Sequence, residues 1–452
     1  MPGTTVLARR FPVPALLLKP AVFGSLIPTV TALNALVGLL LPMLMTPGQF
    51  GEYSLVVTLF QYGLIFDLGA SQLADRRIPA QLGGNRPEEA ERLGQRLLWL
   101  RLYIAAATAV VLVLVLTTLA VARGLPFRLE AALLAGLAGL LYMVSLGPAC
   151  IYRARSLRRN YAVSIAVLSS GLVVARLSGM LLGGTVGCFV ALGLWYGAFA
   201  VLLHWQMPPR LAERPGPTEA VLLVGQGLAL FATSFMWAFH VTANRWFAAQ
   251  VIPAGDFGQF AFAANIFALL VGTASGFSAF YYPKFMERLA GAAPFALSRL
   301  LLRDCARLLG ATAAITAVGL LLAGPMVGYV YPAYTHSAAD VRVLLVAVPP
   351  LVLASWLMPI SLSAGRQPWI DGLVVYPAAT VLLCAAIFLL VPLYGGLGAG
   401  AASTLSSLPL VAMQLLLLSR ARVLRAPDAA ALFGVALLGC AGLAALAWMV
   451  GA

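Results

Sequence analysis

The sequence predicts an all-α, polytopic membrane protein of two parallel six-helix lobes plus about one extra helix at the C-terminal end. Three observations carry this. Hydrophobic residues make up 62% of the 452 and charged residues only 10%, whereas soluble domains carry roughly 25% charged residues. The apolar runs last about 20 residues or more and do not alternate, so they read as spanning helices and not as barrel strands. Residues 48–96 return, without a gap, at 255–303.

The apolar runs place about thirteen helices, near 21–45, 54–74, 97–122, 129–152, 161–183, 185–207, 219–249, 257–282, 305–331, 339–364, 369–391, 397–419 and 429–450. In the first, Thr31, Asn34 and Gly38 share a stripe bracketed by Pro28 and Pro42, and internal prolines let a helix bend. The repeat maps the second helix onto the eighth. Gly48, Phe50, Gly51, Phe60, Gly69, Ser71, Leu82, Gly84, Pro87, Arg92 and Arg96 recur as Gly255, Phe257, Gly258, Phe267, Gly276, Ser278, Leu289, Gly291, Pro294, Arg299 and Arg303. A chance match in so Leu- and Ala-rich a chain would share Leu and Ala. Shared Gly, Phe, Pro and Arg mark an internal duplication. Helices one to six and seven to twelve are then copies with one orientation: a lobe at 1–207, a lobe at 219–419, and an additional helix within 420–452. The Pro-rich, polar stretch 208–218 between them reads as a cytoplasmic linker.

Charges fix the orientation. Arg76, Arg77, Arg86, Arg92 and Arg96 follow the second helix, Arg153, Arg155, Arg158 and Arg159 the fourth, and Arg210 and Arg214 the sixth. Lys284, Arg288, Arg299 and Arg303 follow the eighth, Arg366 the tenth, and Arg420, Arg422 and Arg425 the twelfth. By the positive-inside rule the N-terminus is cytoplasmic. Arg9 and Arg10, followed by Lys19 and Pro20, read as a lead-in to the first helix and not as a signal peptide. The net charge of +14 therefore reflects topology, not nucleic acid. Five scattered cysteines and three distant histidines speak against a disulfide framework or a metal site. No external connection is long enough for a folded catalytic domain, and no GxxxxGK[ST] loop is present for ATP. The chain reads as a non-enzyme without a cofactor, driven by an ion gradient, the membrane potential or the substrate's own gradient. H+ and Na+ are the coupling candidates.

Polar side chains inside spans are where function is sought, because a central charge costs roughly 2.5–3.5 kcal/mol on the insertion scale. Arg176, in the outer half of the fifth helix, is either a cavity cation holding an anionic headgroup or a residue snorkelling to the outer surface. Asp67 is a protonatable coupling and gating residue, a partner for a cavity arginine, or a partner for a basic loop residue near the cytoplasmic end; its repeat mate is Ala274, so its role belongs to one lobe. His240 and Asn244 share a face of the seventh helix, with Arg245 one position round. The bland alternatives there are a packed histidine and an Arg245–Trp246 interfacial anchor. Asn34 lies on the stripe of the bendable first helix, which suits a lobe-lining gate; Gln61 and Gln226 are weaker cavity candidates, and the loop arginines serve topology or attract anionic lipid.

Met45-Thr46-Pro47-Gly48-Gln49-Phe50-Gly51-Glu52-Tyr53 and the later Asp67-Leu68-Gly69 resemble the helix 1–2 region of bacterial polysaccharide flippases. These belong to the multidrug/oligosaccharidyl-lipid/polysaccharide exporter superfamily. The second lobe is similar in the polar pair late in helix 7, in Gly258-Gln259-Phe260, and in Pro283 ending helix 8. Tyr331-Pro332-Ala333-Tyr334 and Gly365-Arg366 follow as later landmarks. The motifs are short, and their order and spacing across helices one to twelve give the resemblance its weight. Two departures stand out. Asn244, not an acid, precedes Arg245, and thirteen helices fall between the usual 12 and 14.

The resemblance implies a two-lobe transporter in the bacterial inner membrane. It would move an undecaprenyl-diphosphate-linked oligosaccharide to the outer leaflet by alternating access, for O-antigen, lipopolysaccharide or exopolysaccharide biosynthesis. Its partners would be membrane lipids, glycosyltransferases and a polysaccharide polymerase, and it would act as a monomer. Arg176 and Arg245 would contact substrate, Asn34, Gln61, His240 and Asn244 would line the cavity, and Asp67 would couple or gate. The rival readings are a small-molecule exporter of the major facilitator or multidrug type, a lipid II flippase, and a polymerase or ligase. Asp75-Arg76-Arg77 looks like part of the facilitator loop motif, but Ile78-Pro79 break it, and the enzyme lacks its external loop.

Overall fold

The computed structural model describes residues 33–123, 127–206, 211–289, 295–364 and 371–451. Every regular element among them is helical. In chain order these are α1 (Leu33–Leu44, closing in a 3-10 turn), α2 (Pro47–Ile65), α3 (Ala70–Gly83), α4 (Pro87–Arg123) and α5 (Leu129–Ala154). Then come α6 (Arg158–Gln206), α7 (Pro217–Val251), α8 (Ala254–Leu289), α9 (Ser298–Val330) and α10 (Ala338–Val346). The last are α11 (Val348–Ala364), α12 (Tyr376–Tyr394), α13 (Gly396–Arg420) and α14 (Ala426–Gly451). The chain is a multi-pass membrane protein: ten described helices are long and apolar enough to cross a bilayer, eleven with the bent pair α10–α11.

Two features separate that number from the expected thirteen. The first helix is described only from Leu33, so Pro28 and Thr31 lie outside the described residues, as do Gly365 and Arg366. The second is α6, whose 49 residues would be about 74 Å long if straight. It is not straight. Gly183 and Gly184 leave helical geometry, with Gly184 at φ 59°. A Cβ on Gly179 would strike the Gly187 carbonyl, and one on Gly171 would strike the Trp195 ring. Both pairs are centred on residue 183, so α6 is an antiparallel hairpin of two passes, divided where the apolar pattern divides.

Other boundaries move. α4 starts at Pro87, well before the expected 97, because proline at the first position and Glu88 and Glu89 in the first turn suit a helix N-terminus. Arg92 and Arg96 therefore sit on a helix and not in a loop. α8 runs on to Leu289, past Pro283, since a helix loses only one hydrogen bond at an internal proline. The expected tenth helix bends by 43° between α10 and α11; Pro349 and Pro350 lack the N–H groups that would continue the ladder across Ala347.

The chain falls into two units. Among the described residues, the first holds those up to Val37 and those within Val56–Phe235; the second holds Gly38–Leu55 and those within Met236–Ala452. Their boundaries lie inside α1, α2 and α7. In the first unit, α2 crosses α5 with backbones touching: a Cβ on Gly63 would lie 2.9 Å from Gly139 Cα. The described part of the linker is fastened to α4. Trp99 Nε1 donates to the Leu211 carbonyl (3.2 Å), the Glu213 N–H donates to Gln95 (3.0 Å), and Arg96 pairs with Glu213 and Glu219. The Arg214 guanidinium lies 4.3 Å from the Trp99 ring centre, a cation–π contact.

In the second unit the two repeat copies meet. α2 and α8 begin at equivalent positions, Pro47 and Ala254. Gly51 faces its own repeat mate, Gly258, and a Cβ on Gly258 would strike the Pro47 carbonyl. Phe50, Phe262, Tyr331 and Tyr334 pack their rings beside this crossing. The carbonyls at the end of α1 find partners here: Asn265 donates to Gly38 (3.0 Å), Tyr331 to Leu39 (2.9 Å) and Tyr334 to Met45 (3.1 Å). These bonds satisfy groups that a helix end leaves open.

Candidate functional site

The first unit carries a buried charge cluster at the break between α2 and α3. The expected continuous helix stops at Ile65, and Leu68 (φ 47°) and Gly69 (φ 88°) adopt left-handed backbone. A leucine there costs about 1–2 kcal/mol, so other bonds must hold the break. Asp67 supplies them. Its Oδ1 accepts from the Gly69 N–H (3.0 Å), and its Oδ2 accepts from the Ser71 N–H (2.9 Å) and the Ser71 hydroxyl. The carboxylate thus caps α3, whose open N–H groups and dipole favour an anion. Arg101 of α4 completes the cluster, donating to Asp67 Oδ2 (2.7 Å), to Ser71 and to the Met143 carbonyl of α5 (3.0 Å). Cys150 Sγ lies 3.6 Å from Ser71 Oγ and from Arg101 Nη2. Asp67 and Arg101 are 4% and 3% exposed, so this is a fully desolvated ion pair. Gly227 of α7 packs against the break; a Cβ on Gly69 would strike its carbonyl.

Asp67 was among the expected site residues, but Arg101 was missed. The repeat holds a signal that points to it. The mates of Asp67 and Arg101 are Ala274 and Leu308, so the acid and the base are absent together from the second copy. There α8 runs unbroken through Ala274.

Elsewhere in the first unit, Arg176 is half-buried in the first arm of α6, within electrostatic reach of Cys188 and Tyr196 on the returning arm. Neither is an acid. Asn34 and Gln61 are half-buried, and Asn34 Oδ1 is buried with no hydrogen-bond partner among the described residues. None of these three joins the Asp67 network.

The second unit holds a polar thread between α7, α12 and α13. His240, 3% exposed, lies with Nδ1 3.2 Å from Thr380 Oγ1, and the Thr380 hydroxyl donates to the Tyr376 carbonyl (2.8 Å). The threonine proton is committed, so the imidazole donates through Nδ1 and leaves Nε2 as its acceptor. Gln414 of α13 donates to the Tyr376 hydroxyl (2.8 Å), and its own Oε1 has no partner among the described residues. One turn beyond His240, Asn244 is buried, its Oδ1 without a hydrogen-bond partner among the described residues, and Arg245 is buried, donating to the Ala264 carbonyl (3.0 Å). Arg245 therefore sits inside the helix packing, not at an interfacial end.

Tyr376 is the member on which Gln414 depends. Tyr376→Phe is expected to lower the unfolding free energy by about 1–3 kcal/mol, the usual cost of orphaning a buried polar group. The pair Tyr376→Phe with Gln414→Leu is expected to regain most of it. Denaturant titration in mixed micelles reads both.

Comparing the sequence with models of protein families and with curated proteins finds no match, but comparing the fold does. The lipid II flippase MurJ in an inward closed conformation aligns with a TM-score of 0.57 and 12% identity, over 94% of this chain and 96% of that one. A variant of the Vibrio cholerae MATE transporter VcmN gives 0.57 and 13%, over 88% and 98%. A MOP superfamily transporter from Pyrococcus furiosus gives 0.59 and 15%, over 99% of both chains. At such identities the likeness is one of fold. The all-helical fold of this chain is the one these transporters share.

Proposed function

We propose that this chain is a flippase of the bacterial inner membrane, N-terminus cytoplasmic. It carries an undecaprenyl-diphosphate-linked oligosaccharide from the cytoplasmic to the outer leaflet for surface polysaccharide biosynthesis. The observation that carries the reading is Arg176. A guanidinium well inside an apolar helix is costly, and Arg176 stands half-buried in the apolar first arm of α6. A forked donor set of this kind suits a diphosphate, while the isoprenoid tail stays in lipid. Arg245, His240, Asn244, Asn34 and Gln61 are the further substrate-facing candidates. Asp67 is assigned to gating, through its pairing with Arg101, and H+ or Na+ to coupling. Glycosyltransferases that build the cargo and a polymerase that consumes it would be its partners, the flippase itself acting as a monomer.

The fold supports transport, and it is shared with MATE transporters as well as with MurJ, so small-molecule export and lipid II flipping are the competing readings. The test is the lipid-linked glycan pool in cells lacking the chain. Complete units should accumulate on the cytoplasmic leaflet while surface glycan is lost, and Arg176→Glu, at normal protein levels, should reproduce this. An unchanged pool with unchanged surface glycan would point to small-molecule export. Accumulation of lipid II would point to the peptidoglycan precursor. Normal export by Arg176→Glu would remove that residue's assigned role.

A further inference from the structure

The second unit contains a groove that the proposed transport does not use. It lies between α10, α13 and α14 and has a volume of about 580 Å³, within the roughly 300–1,000 Å³ of sites that enclose drug-sized ligands. Val346, Leu397, Leu405 and Ala447 make its walls apolar, and Trp448, 76% exposed, stands at its rim. One charge enters it, Arg342 of α10.

Among the described residues, Arg342 is placed with care and has no counter-ion. Its Nε is buried and has no hydrogen-bond partner, and the side chain forms no ion pair among the described residues. Gly324 of α9 makes room for the guanidinium: a Cβ there would lie 2.7 Å from Nη2. Gly451, in the last turn of α14, lies on its other side, where a Cβ would be 3.5 Å from Nη1. Asp340, the acid closest along α10, is turned away against Gly396 at the start of α13, where the helix dipole favours an anion. The groove therefore joins an apolar trough to one cation that has no counter-ion among the described residues, beside an aromatic rim.

We infer that this groove binds one anionic phospholipid, its acyl chain along the trough and its phosphate on Arg342. A water-soluble anion would leave the apolar walls unfilled, and a neutral chain would leave the arginine unpaired. Exposed tryptophan marks the headgroup level of a membrane, which sets the phosphate at the depth of Arg342. With the basic loops in the cytoplasm, the lipid belongs to the outer leaflet.

The test is native mass spectrometry of the full chain in detergent, titrated with phosphatidylglycerol or phosphatidylcholine. One phosphatidylglycerol should bind in preference to phosphatidylcholine by roughly fivefold, the contribution of one basic residue at a lipid surface. Arg342→Gln should abolish the preference while leaving a chain-dependent site, and Ala401→Phe, which fills the trough, should weaken both lipids. Equal binding of the two lipids by the unaltered chain would overturn the inference. So would a preference that survives Arg342→Gln, or saturable exclusion of phosphatidylglycerol by an isoprenoid diphosphate, which would make the groove part of the substrate path. None of these readouts depends on transport, so the groove and the flippase reading can fail separately.

Discussion

Arg101→Leu is expected to lower the unfolding free energy by about 3–5 kcal/mol, the cost of leaving one member of a buried ion pair uncompensated. Asp67→Ala should cost a similar amount, since it strands the guanidinium and also uncaps α3. Joined in one chain, the two changes should not add. Asp67→Ala with Arg101→Leu recreates what the second repeat copy carries, Ala274 and Leu308. It is expected to sit only about 1 kcal/mol below the unaltered chain, the residue of the lost cap. The four species form a double-mutant cycle, read by denaturant titration in mixed micelles. If the single and double losses simply add, the Asp67–Arg101 bond (2.7 Å) is not what holds the break. Transport by the double variant carries separate information. A stable chain that no longer exports would place the pair in gating, and one that exports normally would make it purely a fastening.

Gly258→Ala should be the next most damaging change, at about 1–3 kcal/mol or more, the range for overpacking a well-filled interior. The new methyl group would fall on the Pro47 carbonyl, which is backbone and cannot swing aside. Gly255→Ala, three residues earlier and equally kept in the repeat, is the control. Nothing lies within 4 Å of a Cβ there, so the change should stay within about 0.5 kcal/mol of neutral, helped by the better helix propensity of alanine. Thermal melting of both variants in detergent checks the contrast. Equal losses would show that the α2–α8 crossing is looser than its geometry.

These cases also show what the sequence reveals and where it stops. Span positions were legible because a lipid-facing helix announces itself over about 20 residues without help from distant partners. The starts of α2 and α8 were expected late, at 54 and 257 instead of Pro47 and Ala254, but the repeat marked their crossing: two copies of one segment must satisfy one geometry, and Gly51 and Gly258 recur where their backbones meet. The α2–α3 break was not legible. Gly63-Leu64-Ile65-Phe66-Asp67-Leu68 reads as a continuing apolar helix, and it stops only because Arg101, on another helix, rewards the carboxylate for turning back. The bend at Ala347 left a local trace in Pro349 and Pro350 that hydropathy averages over. Among the buried polar residues, His240, Asn244 and Arg245 were legible as polar interruptions of α7. Thr380, Tyr376 and Gln414 were not, because their polar atoms matter only through the neighbours that the fold supplies.

The hairpin in α6 bears on how the chain reaches the membrane in the first place. Two glycines are all that separate its apolar arms, so no hydrophilic segment waits between them to hold one arm while the other is made. With a turn this short, the two arms are expected to enter the lipid together. A reporter or epitope spliced between Gly183 and Gly184 would therefore do more than mark a surface. It would convert one concerted insertion event into two sequential ones, and the first casualty would be the amount of protein that arrives with the right number of passes.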